Sequence, residues 1–110
     1  MLEVRVCGGV EIEVDGRVLP EALIGGRQGR LVLAYLVCER ERAVRREELA
    51  DLLWPELLPD SWTASLSAVI SRLRRCFADA GLDGQSVIVS VPGAYQLQLP
   101  EGSAVSRSCR

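Results

Sequence analysis

The chain has 110 residues, 48% hydrophobic and 25% charged, a balance suited to one globular domain and unlike that of a disordered segment. Its 13 basic residues are all arginine, set against 15 acids for a net charge of −2; with no histidine it lacks the commonest general acid–base group, which argues against an enzyme. The longest apolar run, Leu31–Cys38, falls far short of the roughly 20 residues that span a bilayer, and Met1–Arg5 shows no basic-then-apolar leader, so we expect a cytoplasmic protein with no membrane contact.

The first segment alternates. Leu2, Val4 and Val6 are apolar against Glu3 and Arg5, and Val10, Ile12 and Val14 against Glu11, Glu13 and Asp15. Period two predicts half-buried strands, with Gly8-Gly9 and Asp15-Gly16 as hairpin turns and a short third strand over 17–19 ended by Pro20. An antiparallel sheet with one wet face is expected.

A first helix over 28–40 is apolar at 31–34 and 36–38, which predicts the buried central helix. A second, over 46–53, turns Leu49, Leu52 and Leu53 inward and Glu47, Glu48 and Asp51 to water, and Pro55 stops it. After a turn containing Pro59, a third helix over 61–79 carries Trp62, Leu66, Val69 or Ile70, Leu73 and Phe77 at spacings of three and four. Asp60 or Ser61 is its expected N-cap and Gly81 its C′ residue. The opposite face holds Thr63, Ala64, Ser67, Ala68, Ser71, Arg72 and Arg75, small and polar first and basic later. A hairpin over 87–99 turns at Pro92-Gly93, and residues 101–110 have no periodicity, so 1–100 is expected as the domain and 101–110 as a disordered tail.

The cysteines at 7, 38, 76 and 109 show no C-x-x-C spacing and have no histidine to join them. No metal site and no cofactor is therefore expected. Cys7, Cys38 and Cys76 are expected as reduced, small buried hydrophobes and Cys109 as a tail thiol.

Sheet, helix, short helix, turn, long helix, hairpin is the order of a winged helix-turn-helix, an α+β fold that lays its second motif helix in the major groove. The charge on that helix reads two ways, for residues 1–60 carry 12 acids against 8 arginines while 61–78 carry Arg72, Arg74 and Arg75 and no acid: a solvated helix end favoured by the helix dipole, or a reading head. Arg72 can make a bidentate contact with guanine, and Arg74 and Arg75 can bind phosphate. Four runs extend the argument: Gly26-Arg27-Gln28-Gly29-Arg30-Leu31, Arg46 through Leu49 to Trp54-Pro55, Leu66 through Ser71-Arg72-Leu73-Arg74-Arg75, and Pro92-Gly93-Ala94-Tyr95-Gln96-Leu97. In that order they resemble the DNA-binding domain of the SARP family, actinobacterial antibiotic regulatory proteins whose N-terminal domain is a winged helix of the OmpR type.

The resemblance covers residues 1–100 and implies a sequence-specific, double-stranded-DNA-binding transcription regulator. It implies base reading by Ser67, Ala68, Ser71 and Arg72, and phosphate contacts from Trp54, Ser65, Arg74 and Arg75. It also implies an activator that meets RNA polymerase and pairs as a dimer on direct repeats. The sequence departs from the family at Ser67, where a long polar side chain is usual, at Arg45, where Ser or Thr is usual, and in a wing with no arginine before its glycine. An acidic second helix and a sequence pI near 5.2 leave an alternative, a winged-helix module that binds protein and not DNA.

Overall fold

The structure is a computed structural model and describes residues 2–6, 10–18, 26–100 and 102–106. The Gly8-Gly9 turn, Leu19, Cys7 and Cys109 lie outside them. Strands β1 (Leu2–Val6) and β2 (Val10–Val14) pair antiparallel with Leu2 opposite Val14 and Val4 opposite Ile12. That register puts Leu2, Val4, Ile12 and Val14 in the core, as period two requires, and leaves Glu3, Arg5, Glu11 and Glu13 toward water. Asp15 and Gly16, at φ 51° and 84°, make the left-handed two-residue turn into β3 (Arg17–Val18).

Helix α1 (Gly26–Cys38) starts and ends two residues earlier than the periodicity predicts. Val32, Leu33, Leu36 and Val37 have no exposed surface, whereas Ala34 and Tyr35 are half-buried and Cys38 is exposed. The helix therefore presents one core face and is not buried all round, and the expectation of a buried Cys38 is corrected; Cys76 is buried at 2% exposure. A two-residue strand that periodicity does not reveal, β4 (Val44–Arg45), leads directly into α2 (Arg46–Leu53).

Helix α3 (Trp62–Asp79) buries Leu66, Val69, Ile70, Leu73, Cys76 and Phe77. The fully buried side chains along this stripe each contribute about 1.5–3 kcal/mol. Its C-terminus is a Schellman motif: Gly81 N–H donates to Ala78 O (3.0 Å) and Leu82 N–H to Phe77 O (2.9 Å), with Gly81 at φ 91°. Its N-terminus differs from expectation. Ser61 occupies the cap position at φ −97°, ψ 33° and its side chain makes no cap hydrogen bond; the chain is turned by Trp62 N–H donating to Pro59 O (3.2 Å).

A four-residue helix, α4 (Gly84–Val87), capped by the Asp83 carboxylate on Gln85 N–H, feeds the wing strands β5 (Ile88–Val91) and β6 (Ala94–Leu97). Val91 opposes Ala94 across Pro92-Gly93, with Gly93 at φ 74°. The wing sheet has the order β4-β6-β5, so β5 lies at one edge and β4 at the other. The N-terminal sheet has the order β3-β2-β1-β7, because Ala104–Ser106 forms a strand, β7, parallel to β1. This corrects the expected disordered tail over the described part: three residues take up the open edge of β1, and Val105 packs against the core. So short a strand carries no period for a sequence reading to detect.

Candidate nucleic-acid interface

Helices α1, α2 and α3 pack on one another, and α2, its turn and α3 make the helix-turn-helix. Because the apolar stripe of α3 is consumed by that packing, the opposite face is left to solvent. Thr63, Ala64, Ser67, Ala68, Ser71, Arg72, Arg75, Ala78 and Asp79 are all exposed, a strip that continues along the length of the helix at spacings of three and four. Ser67, Ala68, Ser71 and Arg72, the expected base-reading residues, therefore share one accessible surface. Its N-terminal half carries only small side chains, which permit close approach of another molecule to the helix backbone. Beside the C-terminal half an open groove of about 390 Å³ is lined by Ser71, Arg74, Arg75, Ala78, Asp83, Gly84 and Gln85.

The four expected phosphate contacts divide. Arg75 is exposed on the strip itself, and Ser65 lies half-buried at its margin. Trp54 is half-buried at the C-cap of α2, where its N–H donates to Ala50 O at 2.8 Å. Arg74 is turned elsewhere. Its Nε and Nη2 donate to Ile88 O (3.0 and 2.7 Å), Nη2 donates to Ser90 Oγ (2.8 Å), and its guanidinium lies 6.0 Å from the centroid of the Tyr95 ring. The residue expected at phosphate is thus bonded into the wing, a long-range contact across 14 and 16 residues that no local spacing signals.

The wing is also tied to α2. Val44 pairs with Tyr95 and Arg45 with Ala94, and Arg46 N–H donates to Gly93 O at 3.1 Å. The start of α2 itself is held by Glu48. Arg45 stands at the N-cap with no side-chain acceptor to offer, so only the reciprocal half of a capping box forms, from Arg45 N–H to Glu48 Oε1 (3.2 Å). The same carboxylate accepts both arms of the Arg42 guanidinium (2.9 and 2.8 Å) and the Tyr35 hydroxyl (2.9 Å). Arg42 foremost, with help from Tyr35 and the Arg45 N–H, brings its pKa down to about 2 against the cost of partial burial. Tyr35 is shifted up by the same bond. In the turn between α2 and α3, Leu57 is 82% exposed and Leu58 46%, the largest apolar exposure there among the described residues, and sequence reading had passed this pair over as turn.

Among the described residues no group of histidine, cysteine or carboxylate side chains could hold a metal ion, and no helix is long and apolar enough to cross a membrane.

Comparison with known proteins agrees with this geometry. The family described as transcriptional regulatory protein, C terminal, matches residues 21–97. The transcriptional regulatory protein EmbR of Mycobacterium tuberculosis is 32% identical over 102 residues, covering 93% of this chain and 26% of the relative. The transcriptional regulatory protein MoaR1 of the same organism is 31% identical over 96 residues, 87% of this chain and 30% of the relative. The solved structure of Mycobacterium tuberculosis EmbR in complex with a low-affinity phosphopeptide superposes with a TM-score of 0.81 at 32% identity, over 94% of this chain and 26% of that one. The chain thus spans about a quarter of the length of EmbR and under a third of that of MoaR1. It belongs to the transcriptional regulatory protein, C terminal, family, as an OmpR-type winged-helix domain.

Proposed function

We propose that this domain binds double-stranded DNA sequence-specifically by laying α3 in the major groove. The observation that carries the reading is the solvent-facing strip of α3, small at Ser67 and Ala68 and basic at Arg72 and Arg75, on a helix whose other face is buried. Ser67, Ala68 and Ser71 meet base edges at close range, and Arg72 forks onto guanine. Arg75, Ser65 and Trp54 hold the flanking phosphates, with Arg75 supplying most of the sequence-independent attraction. The domain serves as an activator in the cytoplasm, bound as tandem copies on direct repeats and in touch with RNA polymerase; the names of EmbR and MoaR1, transcriptional regulatory proteins, support the regulatory part of that role.

Selection of bound duplexes from a random pool tests the proposal. An enriched motif, with affinity falling steeply in salt, is the expected result. The competing reading, a winged helix that binds protein only, draws on the uncharged wing strands and the exposed Leu57 and Leu58. It requires that no motif be enriched and that partner binding be nearly indifferent to salt.

A further inference from the structure

Edge strand β5 and helix α3 are joined through one charged side chain. Ile88 sits where its peptide groups face away from β6: its N–H donates to Gly84 O of α4, and its carbonyl accepts from Nε and Nη2 of Arg74. Two residues along the same edge, Ser90 Oγ accepts from Nη2 as well. The guanidinium also reaches the ring of Tyr95, which is only 9% exposed and whose backbone pairs with both β5 and β4. One side chain of α3 therefore touches both wing strands.

Resting on the DNA-binding reading above, we propose that Arg74 is a positioning residue of the reading surface, fixing the wing at a set angle to α3 instead of contacting phosphate. The Nε–Nη2 edge is one that an arginine uses to fork a phosphate, and here it is occupied by a carbonyl and a hydroxyl. Ile88 to Leu97 carry no charged residue, so whatever the wing contributes to DNA binding comes from shape and neutral hydrogen bonds. That contribution needs the strands held in place. Lysine can supply the charge of Arg74 but not its planar fork.

The lysine substitution in the full 110-residue chain separates the two roles. Arg74→Lys is expected to speed amide exchange in β5 and β6 about tenfold while the buried face of α3 keeps its protection. It is also expected to weaken specific-site binding about tenfold with no change in the salt slope, because a loosened neutral wing releases no counterions. Ser90→Ala, at an exposed position, is expected to weaken binding less, and to add nothing in the Arg74→Lys background. Unchanged exchange in the wing overturns the role. So does an Arg74→Lys protein that binds like the wild type while Arg74→Ala lowers the salt slope by about one charge, the signature of a phosphate contact. A wild-type chain that enriches no DNA sequence overturns the DNA-binding reading itself, and this role with it, which sets that failure apart from the others.

Discussion

Arg72 and Arg75 are three residues apart on the exposed strip of α3, and their chemistry is the same; their place on the helix separates their tasks. Arg72 follows the small side chains that let the helix enter a groove, so Arg72→Ala is expected to relax preference at one or two base pairs and cost about 1–3 kcal/mol on the preferred site. Arg75 lies nearly a turn further on, beside the groove against α4, so Arg75→Ala is expected to weaken all duplexes alike and to reduce the salt slope by about one charge. Affinities measured across several sequences and salt concentrations decide it, and identical behaviour of the two variants contradicts the assignment. Glu48 supports a different expectation. Its carboxyl is held at about 2 in the folded chain, against an ordinary value of 4.5, chiefly by the Arg42 fork. A depressed folded pKa means a stabilising contribution that is complete above the unfolded value and lost as pH falls from about 4.5 toward 2. Urea midpoints followed over that range should fall less steeply for Glu48→Gln than for the wild type; parallel curves contradict the bond network at the start of α2.

Among the elements, α4 is one that the sequence conceals and the wing depends on. It is a single turn, and it approaches α3 so closely that a Cβ on Gly84 would meet the carbonyl oxygen of Arg74 and stand 2.7 and 2.8 Å from its carbonyl carbon and Cα. Both are backbone atoms in mid-helix and cannot step aside. Gly84→Ala is therefore expected to destabilise by about 1–3 kcal/mol and to disturb β5, which follows α4 directly. Chemical denaturation with exchange measurements on the wing tests it; a variant as stable as the wild type would mean that α4 sits further from α3. Much of α3 was readable in advance, because an 18-residue helix repeats its apolar spacing often enough to fix both its buried and its exposed face. Its C-terminus was readable too, through Gly81. The N-terminus was not, since Ser61 holds the cap position but the bond is made by the backbone at Pro59.

At the scale of the molecule, two small sheets flank the helical core, and each is completed from far along the chain: β4 joins the wing sheet, and β7 joins β1. Removing residues 101–110 reopens the edge of β1 and uncovers the core beside Val105. The shortened chain is expected to lose about 1 kcal/mol of stability and the protection of β1 amides. Its DNA affinity should stay unchanged once folded, because the residues assigned to the interface lie between 54 and 75 and the wing strands end at Leu97, all outside the removed segment. A truncated chain with full β1 protection would show that β7 does not close that edge.

The sequence by itself determined the order of the longer elements, the α+β class and the division of α3 into a buried stripe and a strip of small and basic residues. Each of these rests on hydrophobic period or on turn residues acting over a few positions, and burial follows period. Tertiary structure alone decided where Arg74 points, that Cys38 is exposed, and that residues 44–45 and 104–106 become strands. A two- or three-residue strand has no period, and its hydrogen bonds exist only because a distant edge is open to receive them. An arginine in a basic run looks the same whether it faces solvent or folds back on a carbonyl, and only the position of Ile88 and Ser90 beside α3 makes the second arrangement available.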